Sequence, residues 1–349
     1  MLVQSDPLSE AVSSIFKATG SANPEASCVA RHLVDANLSG HDSHGVIRVS
    51  QYLDYMNEGT LIANQNISVV FESDTIGVVD GHMGFGQVIG EQAMNVLSSK
   101  AKASGLGLVT IRNCGHIGRG GSWAEQLAKD DLISLHFVST TGLGMFAVPF
   151  GGTDRRMSLA VMVVGVPVEG RPPIMLDCAT STTAEGKIRV ARNKGVPVPE
   201  GQIVDKQGNP TTDPNDFYEG GAVLMMAGHK GYGLNFMTDL LAGALLGSGC
   251  TKPGVNHLIN TMTSIAIDPG SFTNRETYMA EIKQFCDWVV GSPPKDPNGK
   301  VLLPGQIEHE TRAQRQRDGI PIDDETWRRL VEVAVSVGLQ RESFDRLVC

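Results

Sequence analysis

The hydrophobic pattern changes its period at Gly59, and this change restricts the possible folds more than any other feature of the chain. Before it, apolar residues recur at helical spacing: Val12, Ile15 and Phe16 within Ser9–Lys17, then Ala30, Leu33, Val34 and Leu38 within Pro24–Leu38. Gly20 and Gly40 follow these runs, where a glycine just past the last periodic residue is a helix stop signal. Asp42 or Ser43, both good N-caps, then predicts a third helix carrying Val46, Val49, Leu53 and Met56 inward. After Gly59, strand-like runs such as ISVVFES, TIGVVDG, GLGLVTIRN, LISLHFVS, PIMLDC and SIAIDPG are interspersed with helical ones. The helical runs include GQVIGEQAMNVLSSKAKASG, SWAEQLAKDD, GYGLNFMTDLLAGALLG (expected to be buried), TNRETYMAEIKQFCDWVV and DETWRRLVEVAVSVG. QGNPTTDP and SPPKDPNGK are turn and linker segments. The mixture is α/β or α+β.

Length and charge narrow the class. A chain of 349 residues supports a substantial core, with two domains the default expectation. A net charge of -9 without any basic run argues against a nucleic-acid partner, whose binding depends on clustered Lys and Arg. Cys28, Cys114, Cys178, Cys250, Cys286 and Cys349 form no Cys-x-x-Cys pair, so free thiols are expected. The N-terminal MLVQSDPLSEAVSSIFKATG lacks the basic region and apolar core of a signal peptide. The longest apolar run, LNFMTDLLAGALLGSG, holds Asn235 and Asp239 and is short for a membrane span. The expectation is a cytoplasmic enzyme with no membrane partner.

Forty glycines invite a search for a dinucleotide-binding loop. GFGQVI has Ile89 where the third glycine belongs, GRGGSW has Trp123 there, and GHKGYG has the spacing reversed. A Rossmann domain is therefore not expected. Lys230, between glycines ahead of a helix, is either part of a different anion site or a solvated lysine.

The stretch SGHDSHGVIRVSQY, between the second and third helices, holds His41, His44, Arg48 and Tyr52. As a metal clip, His-x-x-His lacks a third ligand, and no metal site is assigned. As plain structure, it is a helix cap with a snorkelling arginine. As a catalytic site, His44, Arg48 and Tyr52 share one helix face. The arginine fork suits a carboxylate, and a histidine one turn earlier could move a proton at the adjacent carbon. A helix N-terminus would favour the neutral imidazole.

SHGVIRVSQYLDYMNEG, Ser43 to Gly59, resembles the opening signature of the malate/L-lactate dehydrogenase family of NAD(P)-dependent oxidoreductases. Further matches follow in order: GFGQ, GHIGRGGSWAEQLAKDD, VPFGG, LDCATSTTAEGKI, GNPTTDP, GHKGYGL and LPGQ, covering most of the chain. The resemblance implies a non-Rossmann homodimer. Residues 1–118 and 301–349 would form a helical substrate and dimerisation domain. Residues 119–300 would form an NAD(P)-binding domain on a mixed, largely antiparallel sheet. Carried over by motif, His44, His116 and Asp177 are the catalytic candidates, and Arg48, Tyr52 and His44 the substrate-binding ones. Thr140, Asp177, Cys178, Ala179, Lys230 and Gln306 fall at cofactor positions, without deciding between NAD and NADP. The implied reaction moves a hydride between nicotinamide and a small 2-oxo or 2-hydroxy acid. His116 is favoured as the base for a hydroxy acid, and His44 with Asp177 for a cyclic imine. The alternatives are a cyclic imine reductase and a catalytically silent dimer. Many members carry Gly-Thr-Asn-Pro after VPFGG, whereas this chain reads Ser158-Leu159-Ala160-Val161, which predicts one continuous strand SLAVMVVGV. Nearby Arg155 and Arg156 read as solvated charges or as contacts for a second acidic group or a cofactor phosphate.

Overall fold

The computed structural model describes residues 1–142 and 144–347. The helices read from the N-terminal periodicity form as Ser5–Ala18 and Asn23–Leu38. Their apolar faces meet the C-terminal helices Asp324–Ser336 and Arg341–Asp345 in one core. Val12, Phe16, Leu33 and Tyr52 pack there with Trp327, Leu330 and Phe344. Leu2–Val3 pairs antiparallel with Ile320–Pro321. The two ends of the chain therefore share one core.

A seven-stranded sheet follows. Its spatial order is Ser68–Glu72, Ile76–Gly84, Leu106–Cys114, Leu258–Ile267, Ile133–Gly142, Val161–Val166, Ile174–Ala179. Ile76–Gly84 and Leu106–Cys114 run parallel, and every other neighbouring pair is antiparallel. The sheet crosses the expected domain boundary at 118/119, because three of its strands precede residue 118. Helix Gly86–Ser104 connects the parallel pair and buries Ile89, Ala93, Leu97 and Ala101 against the sheet. Trp123 is wholly buried, and a Cβ on Gly90 would lie 2.5 Å from its ring. The close-approach glycine thus sits in the neighbouring helix rather than in helix Gly121–Ala128, which carries Trp123.

Two expectations fail here. The strand SLAVMVVGV is not continuous: Met157–Ser158 belongs to a smaller five-stranded sheet and Val161–Val166 to the large one. Asn235 causes the break, accepting from the Ala160 N–H (3.1 Å) and donating to the Ser158 carbonyl (2.9 Å). The apolar run after Gly231 is not a buried helix. It forms His229–Asp239 and a π-helical extension, Leu240–Ala244, that leave Phe236, Met237 and Leu240 exposed. Helix Arg275–Val290 is capped by Asn274, but Cys286 is the one residue of it that is buried. Cys28, Cys114, Cys178, Cys250 and Cys286 are free thiols, and Cys349 lies outside the described residues.

Candidate active site

The third helix begins at Arg48, not at Asp42 or Ser43. Asp42–His44 is a single 3₁₀ turn, and Gly45 is extended (φ -88, ψ -153). Asn37 imposes this path. Its Oδ1 accepts from the Val46 N–H (2.8 Å), and its Nδ2 donates to Asp42 (2.7 Å). A Cβ on Gly45 would fall 2.1 Å from Asn37 Oδ1. Arg315 from the C-terminal unit completes the clamp by bonding the Asp42 carboxylate and the Asn37 carbonyl. His44 therefore lies off the helix that carries Arg48 and Tyr52, and the helix dipole does not account for its basicity.

A second loop delivers His116. It leaves strand Leu106–Cys114 and packs backbone to backbone on the GFGQ segment, with the Gly115 N–H donating to the Gly84 carbonyl (3.0 Å). A Cβ on Gly86 would meet the His116 carbonyl oxygen at 2.2 Å, so glycine is required for the approach. Asn260, in the central strand, accepts from the Ile117 N–H (2.8 Å). It also donates to Thr140 Oγ1 (2.7 Å) and the Ser139 carbonyl (3.2 Å).

The two loops bring the histidines together. His44 Nδ1 lies 3.3 Å from His116 Nε2, with the rings parallel to within 3°. His116 Nδ1 is 2.6 Å from the Tyr52 hydroxyl, which accepts from Gln87 Nε2 at 2.8 Å. Each ring keeps part of its surface accessible, yet the surrounding protein strips most solvent from it. That desolvation, with the Arg48 charge next, lowers the His44 pKa to about 3 and holds that of His116 well below its ordinary value. Both imidazoles are neutral at physiological pH.

Arg48 donates to the Ser43 carbonyl (2.6 Å) and to Gln51 Oε1 (2.5 Å). Among the described residues no carboxylate forms an ion pair with it, and burial is the main cause lowering its pKa. The nearby Glu185 is paired instead with Arg189 (2.5 Å). A desolvated guanidinium with only neutral partners costs several kcal/mol, which a bound anion would offset.

The remaining candidates spread outward. Asp177 is half-buried on the edge strand and accepts from the Gly121 N–H (2.7 Å) at a helix start; desolvation raises its pKa. Cys178 and Ala179 follow it, paired with Met162 and Val161. Thr140 lies in the adjoining strand region beside Asn260. Lys230 is exposed near the start of helix His229–Asp239, behind Ala227 and Gly228, which both have positive φ (49 and 61). The Gln306 side chain accepts from the Leu303 N–H (3.1 Å) and donates to Glu310 (2.7 Å). It lines a separate cavity of about 370 Å³ with Arg171, Cys286 and His309. Tyr52 is buried, its hydroxyl engaged by His116 and Gln87. Arg155 bonds the Gly221 carbonyl and covers the Phe217 ring at 4.5 Å, while Arg156 pairs with Asp154. His41 lies 3.5 Å from Glu308, apart from the dyad. Elsewhere Cys28, His32 and Glu91 converge, but Arg31 already sits on the Glu91 carboxylate at 2.5 Å.

Sequence reasoning gave no role to Gln87, Asn260 or Asn37. Gln87 was visible within GFGQ, whereas Asn260 and Asn37 carry no local signal.

Comparison with known proteins places these features in context. A family model described as malate/L-lactate dehydrogenase matches residues 3–331. Hydroxycarboxylate dehydrogenase B of Escherichia coli is 39% identical over 341 residues, covering 96% of this chain and 94% of the relative. The solved structure of sulfolactate dehydrogenase from Methanocaldococcus jannaschii superposes with a TM-score of 0.89 at 32% identity, covering 98% of this chain and 99% of that one. Delta1-piperideine-2-carboxylate reductase from Pseudomonas syringae superposes with a TM-score of 0.82 at 28% identity, covering 96% and 100% respectively.

Proposed function

Because this chain belongs to the malate/L-lactate dehydrogenase family, we propose that it interconverts a small 2-hydroxy acid and its 2-oxo acid with NAD or NADP. The single observation that carries the reading is the desolvated Arg48, without a carboxylate partner among the described residues, beside a pair of neutral imidazoles. Arg48 binds the substrate carboxylate through its planar fork, which sets the hydroxyl-bearing carbon toward the pair. In oxidation the hydroxyl proton passes to the His44–His116 pair as the C–H bond breaks. In reduction the pair returns that proton to the new alkoxide oxygen.

The cofactor supplies the hydride acceptor or donor. Its candidate holders fit an anionic dinucleotide. The Lys230 ammonium is exposed, without a hydrogen bond or ion pair among the described residues, and it stands at the start of an eleven-residue helix whose N-terminus favours negative charge. Cys178 and Ala179 lie on the edge strand beside Asp177, which we assign to positioning beside the nicotinamide, and Thr140 lies two strands further in. Tyr52 acts behind His116 rather than on substrate.

A cyclic imine carboxylate is the second reading. The likeness to the piperideine-carboxylate reductase structure favours it, and Arg48 would hold its carboxylate in the same way. We also assign a homodimer. Phe285 and Trp288, three residues apart on helix Arg275–Val290, are 68% and 81% exposed, and exposed aromatic residues on one helix face support an interface there. No helix among the described residues is long and apolar enough to cross a membrane, and a cytoplasmic location is the proposal.

The test is a spectrophotometric screen with NADH and NADPH against pyruvate, oxaloacetate, sulfopyruvate, phenylpyruvate, oxalurate and piperideine-2-carboxylate. Turnover of a 2-oxo acid supports the first reading, and turnover of the imine alone supports the second. Oxidation of neither cofactor with any compound would leave the catalytically silent alternative standing.

A further inference from the structure

Hydrogen-bond accounting around Tyr52 specifies where protons sit in the histidine pair. Gln87 is fully buried in the first turn of helix Gly86–Ser104, and its Nε2 donates to the Tyr52 oxygen at 2.8 Å. Its Oε1 is buried without a partner. The opposite amide orientation would instead leave the NH₂ group unpartnered, and a buried N–H without an acceptor is the rarer and costlier state. With its oxygen accepting from Gln87, Tyr52 has one acceptor within reach for its own hydrogen, His116 Nδ1 at 2.6 Å. A neutral His116 that accepts at Nδ1 carries its proton on Nε2, and that N–H points at His44 Nδ1, 3.3 Å away. His44 then accepts at Nδ1 and holds its proton on Nε2.

We propose that Gln87 is a positioning residue that sets the tautomers of both histidines through Tyr52, making His44 Nε2–H the group that meets the substrate oxygen. The inference rests on reading His44 and His116 as the proton-transfer pair. It assigns them different parts: His44 touches substrate, and His116 is the reservoir behind it. During reduction the pair first takes one proton from solvent water, once a carboxylate on Arg48 offsets the arginine charge, and His116 then carries hydrogen on both ring nitrogens. The carbonyl carbon gains hydride, its oxygen takes the proton from His44 Nε2, and His44 Nδ1 is refilled from His116 Nε2–H. Both rings end neutral with their protons on Nδ1, and His116 Nδ1–H donates to the Tyr52 oxygen from the first protonation onward, the Tyr52 hydrogen being turned out of that contact. Oxidation runs the same steps backward from the pair in its Nδ1–H tautomers, in which His44 Nε2 is free to take the hydroxyl proton.

Ring-nitrogen NMR of the full-length protein labelled with ¹⁵N-histidine reads the tautomers directly, independent of turnover. In the wild type, His116 and His44 should both appear as Nε2–H tautomers. Gln87→Met, which keeps volume and removes the donor, should move His116 toward Nδ1–H. It should lower kcat for 2-oxo acid reduction about a hundredfold, the low end of what proton transfer contributes, with KM changed less than about twofold. In a Tyr52→Phe background the same substitution should cost nothing further, because its effect runs through the hydroxyl. A wild-type His116 protonated on Nδ1 overturns the proposal, as do additive losses in the double variant. Should Gln87→Met fail to fold, Gln87→Glu is the second variant: its carboxylate takes the Tyr52 hydrogen and should reverse the His116 tautomer. A tautomer unchanged by Gln87→Glu overturns the proposal equally. A protein that turns over no acid, yet shows the tautomer shift, refutes the proposed function and leaves the proton order intact.

Discussion

At the scale of single residues, Arg48 and the histidine pair are interdependent. The arginine charge is one cause of the depressed basicity of both rings, after burial. A carboxylate bound to Arg48 offsets that charge, so the imidazolium form becomes less costly and the pKa of the pair rises. The acid limb of kcat/KM for hydroxy acid oxidation, which reports the free enzyme, should lie well below the ordinary histidine value of about 6.5. The acid limb of kcat, which reports the complex, should lie at higher pH than that of kcat/KM. Coincident limbs near 6.5 in pH–rate profiles would contradict this coupling. Arg48→Lys keeps the charge but loses the planar fork, and should raise KM for a carboxylate substrate about tenfold or more. An unchanged KM would remove Arg48 as the clamp.

At the scale of elements, the site depends on two loops that pack through glycine. Gly86 opens the helix that follows GFG, and its α-carbon faces the His116 carbonyl closely enough that any side chain displaces the GHIG turn. Gly86→Ala should therefore destabilise the fold by about 1–3 kcal/mol, the usual cost of overpacking. It should also lower kcat, since it moves His116 against both Tyr52 and His44. Denaturant titration alongside kinetics checks both effects; wild-type values for each would show that the close approach is relieved elsewhere. These loops were legible as motifs, because glycines flanking a histidine after a strand pattern are local signals. The bend at Gly45 was not. A sequence that reads Asp-Ser-His offers an N-cap, and only Asn37, eight residues earlier, diverts the chain into a 3₁₀ turn. The break at Leu159–Ala160 has the same origin: a β-branched, apolar run reads as one strand until the distant Asn235 takes two of its backbone groups.

At the scale of the whole molecule, an ion network joins the parts. The Arg119 side chain is 1% exposed and pairs with Asp35 (3.1 Å) and Glu125 (2.6 Å). Arg312 from the C-terminal unit bonds the same two carboxylates and Ser39. Asp35→Ala would leave two arginines sharing Glu125, and should destabilise the protein by about 3 kcal/mol, as when one partner of a buried pair is removed. A smaller loss in chemical denaturation would mean that solvent already screens the cluster. The exposed aromatic face leads to a separate expectation. Trp288→Asp should shift the proposed homodimer toward monomer in sedimentation velocity, and a dimer unchanged by the substitution would place the interface elsewhere. The sequence alone determined the mixed α/β class, the absence of a dinucleotide fingerprint and the motifs that nominate His44, Arg48 and His116, because periodicity, glycine placement and motif spacing are local. Tertiary structure decided which side chains meet. His44 and His116 lie 72 residues apart in the chain, and the proton order between them depends on a buried Gln87 whose contacts exist only once the helix core and the sheet have packed together.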